Sequence, residues 1–207
     1  MYLPAHFQHT DPAHLLEVMQ AHSFATVIHQ AEGHVVANHI PLLVTAPTEA
    51  NGPWRLQGHC AANNPLAALP EGASILVVFQ GPHAYVSPRA YAQRESVPTW
   101  NYIAVHMQGT LNWVRDSAEQ EATMWALIAH YDAAYLPQYD SLSAEYKARM
   151  LGAIAAFEIS ANQVEGKFKL SQNKSPADRL GVYADQQHGS ADEQALARWM
   201  ARLGLVE

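Results

Sequence analysis

Two neighbouring stretches decide the reading of this chain: "FQGPHAYVSPRAY" at residues 79–91 and "VPTWNYIAVHMQG" at residues 97–109. Each alternates in the way a strand does, so successive side chains point to opposite faces. His83, Tyr85 and Ser87 then share one face. In the second stretch Thr99 and Asn101 share one face, and Trp100, Tyr102 and His106 the other. A strand that only fills a core is built from Val and Ile, as in the run "SILVVFQ" at 74–80. Here hydrogen-bonding and stacking groups stand in its place. On a single strand aromatics are more often core residues than ligand platforms. Recurrence on several segments between Gly and Pro punctuation points to a binding surface.

Outward from this centre the chain reads as strands with helices at its flanks. Thr10 or Asp11 followed by Pro12 opens a helix, since proline suits the first helical position. Residues 24–44, "FATVIHQAEGHVVANHIPLLV", read as a hairpin turning at Glu32-Gly33, where a tight turn needs positive φ. Within it Pro41 implies a sheet edge or a break in the ladder. "WRLQGHCA" at 54–61 is a third strand, and "NNPLAAL" at 63–69 a short helix opening at Asn63 or Asn64. The strand through 99–114 has room for a bulge at Gly109. Ser117 with Gln120 resembles a capping box and opens a helix to about Tyr131, and a second helix follows Ser143. Strand character returns over 156–171. Ser190 with Glu193 forms another capping box, starting a last helix with Leu196, Trp199, Met200 and Leu203. The expectation is one domain over 1–207, mainly β with peripheral helices. It consists of six or seven mostly antiparallel strands in a small barrel, an inserted helical pair at about 117–153 and a C-terminal helix at about 190–203.

Composition bounds the function. Of 207 residues 49% are hydrophobic and 15% charged, with five Trp and nine Tyr, which suits a globular chain with apolar surface hidden against a second subunit. The net charge of −7, from 12 basic and 19 acidic residues, argues against a broad phosphate-backbone surface. One cysteine, Cys60, permits no internal disulfide. The opening "MYLPAHFQHTD" has neither the basic start nor the apolar stretch of a signal peptide, and no apolar run reaches the length of a membrane helix. Cytoplasm is the expected compartment. Twelve histidines invite a metal, yet neither His-Glu-x-x-His nor Cys/His pairs at zinc spacing occur. Gly-x-Ser-x-Gly, Gly-x-Gly-x-x-Gly and a Walker loop are likewise missing from the sequence.

"EGKFKLSQNKSPADR" at 165–179 places Lys167, Lys169 and Ser171 on one strand face, with Phe168 and Leu170 opposite. Spacing alone favours a solvated face. The alternative is an anion site, because two ammonium groups and a hydroxyl offer charge-assisted hydrogen bonds to a phosphate.

Taken in order, "MYLPAHF", "NHIPLL", "GHCAANNP", "VVFQGPHAYVSPRAY", "VPTWNYIAVHMQG" and "EGKFKLSQNKS" resemble the segments of the PaiB family, described as FMN-binding negative transcriptional regulators. The likeness runs from Met1 to about Val182. It implies a six-stranded antiparallel split β-barrel of the FMN-binding type, as in pyridoxamine-phosphate oxidases and flavin reductases. It also implies a homodimer with FMN between the subunits. By that analogy His39, His59, Asn63 and Asn64 stand where phosphate contacts arise. His83, Tyr85, Thr99, Trp100 and Asn101 would surround the ring and ribityl chain, Lys167 and Lys169 would meet the phosphate from the other subunit, and Ser171, Gln172 and Asn173 would complete the rim. The sequence departs from the family pattern where a basic residue is common, having Ala62 and Asn63 instead. Three readings follow: a flavin-dependent regulator, with DNA as a possible partner through the central helices; a flavin-dependent oxidoreductase with His83 as acid or base; and a haem-handling barrel.

Overall fold

The structure is a computed structural model that describes residues 1–49 and 52–206. Along the chain come β1 (Gln8–His9), α1 (Pro12–Ala21), β2 (Phe24–Ala31), β3 (His34–Pro41), β4 (Leu43–Thr45) and β5 (Trp54–Ala61). Then follow β6 (Ser74–Val86), β7 (Thr99–Val114), α2 (Ser117–Tyr131), α3 (Leu136–Ser141), α4 (Ala144–Leu151), β8 (Ile154–Lys169), α5 (Pro176–Gln186) and α6 (Ala191–Arg202). The strands form one sheet in the order β3-β2-β6-β7-β8-β5-β4, with β1 added on β8.

Among the described residues the sheet therefore has eight strands, not six, and no pairing joins its ends, β3 and β4. The two additional strands are short and have local causes. Pro41 has no N–H to continue the ladder, so β3 stops there; the chain resumes as β4, where Leu43, Val44 and Thr45 pair with Gln57, Leu56 and Arg55. At the other end Gln8 and His9 pair with Lys167 and Gly166.

The chain divides into two compact units, and β6, β7 and β8 contribute residues to both. The larger comprises residues 12–79 and 106–164. Its hairpin turns where expected: Ala31 pairs with His34, while Glu32 and Gly33 take φ of 50° and 79°. Val27, Leu56, Phe79, Met107, Phe157 and Ile159 are fully buried in this unit, each contributing about 1.5–3 kcal/mol by leaving water. Gly109 lies at a close approach of β7 to β8. A Cβ there would lie 2.5 Å from the Ser160 carbonyl oxygen on β8. The helices in 117–153 number three, not two, because "AAYLPQYDS" is itself helical, as a 3-10 turn at 133–135 followed by α3 with a proline in its first turn. Asp116, not Ser117, caps α2, its carboxylate accepting from the amides of Ala118 and Glu119.

The smaller unit comprises residues 1–11, 80–105 and 165–207. Phe168, Leu170, Ile103, Val182, Leu196 and Met200 are buried here. The last helix is preceded by α5, which sequence reading passed over although Ser175 caps it and Pro176 opens it. The capping box of Ser190 and Glu193 forms as expected. Among the described residues no helix is long and apolar enough to cross a membrane.

Candidate functional site

The polar and aromatic residues of 83–101 lie in the smaller unit, on adjoining parts of β6 and β7. Alternation along β7 buries Asn101 and Ile103 and leaves Trp100 49% exposed; on β6 it buries Ala84 and Val86 and leaves Tyr85 51% exposed. The exposed rings meet: His83 and Trp100 lie 5.7 Å apart at 41°, and Tyr85 meets Trp100 edge-on at 6.3 Å. His83 also has a neighbour that no spacing announced. The Asp192 carboxylate, in the first turn of α6, stands 3.9 Å from its Nε2. Half-exposed rings of this size, clustered on a sheet face, are what a planar ligand or a second subunit would cover.

Behind this face the side chains serve the fold. Asn101 is fully buried, its amide donating to the Ser171 hydroxyl at 3.0 Å, and that hydroxyl lies 3.2 Å from Asn101 Oδ1. Ser171 adopts φ of 65°, in the left-handed region, where β8 ends. Gln172 folds back onto the same strand end: its Oε1 accepts from the Leu170 amide at 2.7 Å, and its amide donates to the Phe168 carbonyl. Asn173 is exposed.

The lysine face of β8 is not solvated, contrary to what spacing favoured, because the N-terminal segment covers it. Lys167 is only 7% exposed; its ammonium donates to the Tyr2 carbonyl at 2.8 Å and lies 5.3 Å and 5.4 Å from the rings of Tyr2 and Tyr102. The Met1 amino group pairs with Glu165 beside it. Lys169 is half-buried and reaches β7, where it donates to Thr99 Oγ1 and to the Trp100 carbonyl, 5.9 Å from the Phe7 ring. Desolvation lowers its pKa below the ordinary lysine value, and the cations Lys167 and Lys174 lower it further. An ammonium held this way gains by meeting an anion.

The remaining four residues lie in the larger unit. His39 is exposed on β3, its Nδ1 3.3 Å from Thr26 Oγ1 and its ring 6.0 Å from that of Phe24. His59 is half-buried on β5, and desolvation lowers its pKa, which favours the neutral imidazole over a cation. Asn63 is exposed. Asn64 caps a four-residue 3-10 turn, accepting from Leu66 N at 2.8 Å and donating to Asn38 at 3.0 Å. That short turn offers an anion one amide fewer than a free helix end, since the Asn64 side chain already takes one.

Residues 1–163 match the family described as "Putative FMN-binding domain". Across 207 aligned residues the chain is 34% identical to the Protease synthase and sporulation protein PAI 2 of Bacillus subtilis, covering 98% of this chain and 96% of that one. Among solved structures that share the fold are two flavin- or haem-related proteins. One is the FAD and heme binding protein from Mycobacterium smegmatis, with a TM-score of 0.60 at 20% identity over 79% of this chain and 73% of that one. The other is a flavocytochrome from Azotobacter vinelandii, with a TM-score of 0.62 at 14% identity over 78% and 69% of the two chains.

Proposed function

This chain belongs to the PaiB family of FMN-binding-domain proteins, and on that premise we propose that it holds FMN as a split-barrel homodimer and acts as a negative transcriptional regulator. One observation supports the placing of the flavin: the exposed rings of His83, Tyr85 and Trp100 adjoin a strand start at which a half-desolvated ammonium, Lys169, is pinned. The rings suit the face of an isoalloxazine and Lys169 suits a phosphate, so the residues fit the group. When bound, FMN supplies redox chemistry; the protein supplies the stacking surface, the cation and exclusion of water. Thr99, whose hydroxyl accepts from Lys169, holds that ammonium in place.

Regulation is the reading to which the Bacillus relative's name lends support, since it speaks of protease synthesis and sporulation. We assign it to the flavin-dependent state of the dimer rather than to a helix reading DNA. The helix α4 offers only two basic residues, Lys147, which shares its charge with Glu121 at 3.0 Å, and Arg149, too few for a phosphate-backbone surface. A second reading, a flavin-dependent oxidoreductase, is favoured by one contact. His83 stands exposed on the ring face with the Asp192 carboxylate beside it, an imidazole placed to give or take a proton.

Titration with FMN, followed by flavin fluorescence and by sedimentation, tests the proposal. Quenching that saturates at one flavin per chain in a dimeric species is expected. A monomer that takes up no FMN overturns it. Bleaching on addition of reduced nicotinamide separates the oxidoreductase reading from the regulator.

A further inference from the structure

We propose that the space among α2, α3 and α4 is a binding site for a small aromatic carboxylic acid. The three helices, with Tyr135, Leu142, Ala153 and Ile154, line an open cleft of about 380 Å³, within the range of small-molecule sites. They do not close a core of their own. Neither α3 nor α4 buries a residue, and α2 buries only Thr123 and Leu127. Every side chain lining the cavity keeps some exposure, Tyr146 42% and Met150 43%. A ligand that fills the space removes that apolar surface from water.

The walls select aromatic character. Tyr135 and Tyr139 present tilted rings 6.4 Å apart, and the thioethers of Met124 and Met150 are soft partners for a ring. The cation selects the charge. Lys147 lines the cavity, its ammonium 4.9 Å above the Tyr139 ring. Of its three donors one bonds Glu121 at 3.0 Å; Lys147 lines both this space and the neighbouring cleft, whereas Glu121 lines only the latter. The hydrogen bond to Glu121 raises the Lys147 pKa, and the ammonium stays protonated as one half of that ion pair. Tyr139 stays a protonated donor as well, since desolvation and then the Glu121 carboxylate push its pKa up. A carboxylate entering the cavity shares the ammonium with Glu121, and that competition supplies a two-sided test.

Binding of 1-naphthoic acid, with 1-naphthalenemethanol as its neutral counterpart, is measured by calorimetry on the full chain. The acid is expected to bind with a dissociation constant on the order of 0.1–1 mM and the alcohol more weakly. Lys147→Met should weaken the acid about ten-fold and leave the alcohol unchanged, whereas Glu121→Gln, by freeing the ammonium, should tighten the acid several-fold. Met150→Trp, which fills the space, should abolish binding of both. Circular dichroism and the melting temperature establish that each variant is folded. If the acid does not bind at millimolar concentration, or if acid and alcohol respond alike to both charge substitutions, the site is not what we propose.

Discussion

The phosphate role proposed for Lys169 is open to a sharp test through Lys169→Met, which keeps most of the side chain's length and apolar bulk. The ammonium is fixed by Thr99 Oγ1 and the Trp100 carbonyl, and Lys167 and Lys174 stand close enough to depress its pKa. A charge-assisted hydrogen bond to a phosphate contributes about 1.5–3 kcal/mol. Lys169 is half-buried, so solvent screening places the effect at the low end, about 1.5 kcal/mol, or roughly ten-fold in affinity. Fluorescence titration of wild type and variant with FMN and with riboflavin, which lacks the phosphate, isolates the term. FMN should lose about ten-fold and riboflavin nothing. The pH dependence has a fixed sign: FMN affinity falls as pH rises through the lowered ammonium pKa, beginning below the ordinary lysine value, and riboflavin affinity does not follow. Equal loss for both flavins would refute the reasoning, because Lys169 would then act only by holding the start of β7.

Three further outcomes are expected. His29 is 3% exposed and neither ring nitrogen has a hydrogen-bond partner among the described residues, so His29→Leu should stabilise the protein by about 1–2 kcal/mol in chemical denaturation; a loss of stability would show that the ring holds a partner. Gly109→Ala sets a Cβ 2.5 Å from Ser160 O and 2.9 Å from Ala161 Cα, both backbone, and should cost about 1–3 kcal/mol in the same assay. Asp178 accepts from the Ala92 amide at 2.8 Å, the bond chiefly responsible for its lowered pKa. Its contribution is therefore present above the ordinary carboxylate value and lost as pH falls through the lower folded value, so Asp178→Asn should be less stable at neutral pH and match wild type in strong acid.

The parts of the fold legible in sequence are those whose causes are local. Glu32-Gly33 announces a tight turn because only a few residue types accept its dihedrals, and Ser190 with Glu193 announces a helix start because the two caps are reciprocal. Local signals also mislead when two are adjacent. Ser117 with Gln120 has the capping spacing, yet Asp116 one residue earlier is the stronger acceptor and takes the amides. What covers Lys167 could not be read at all. Its alternation with Phe168 is the pattern of a half-exposed strand, and the cover is a backbone carbonyl from Tyr2 at the far end of the chain. The same holds for Asp192 beside His83, since a first-turn carboxylate is explained locally by its helix and gives no sign of the ring it faces.

Alternation in "TWNYIAV" divides Trp100 and Tyr102 from Asn101 and Ile103, but period alone does not say which set is inside. Hydrophobicity would bury the tryptophan and expose the asparagine; the fold does the reverse. Burying Asn101 costs little because its amide and the Ser171 hydroxyl satisfy each other, Ser171 facing it from a left-handed conformation at the strand end. That bond ties the start of β7 to the end of β8 from beneath, and Lys169 ties the Trp100 carbonyl to the same strand from its side. The indole thus projects from a backbone fixed at two successive residues. The backbone that carries the ring has already given up freedom that would otherwise be lost if this face were covered.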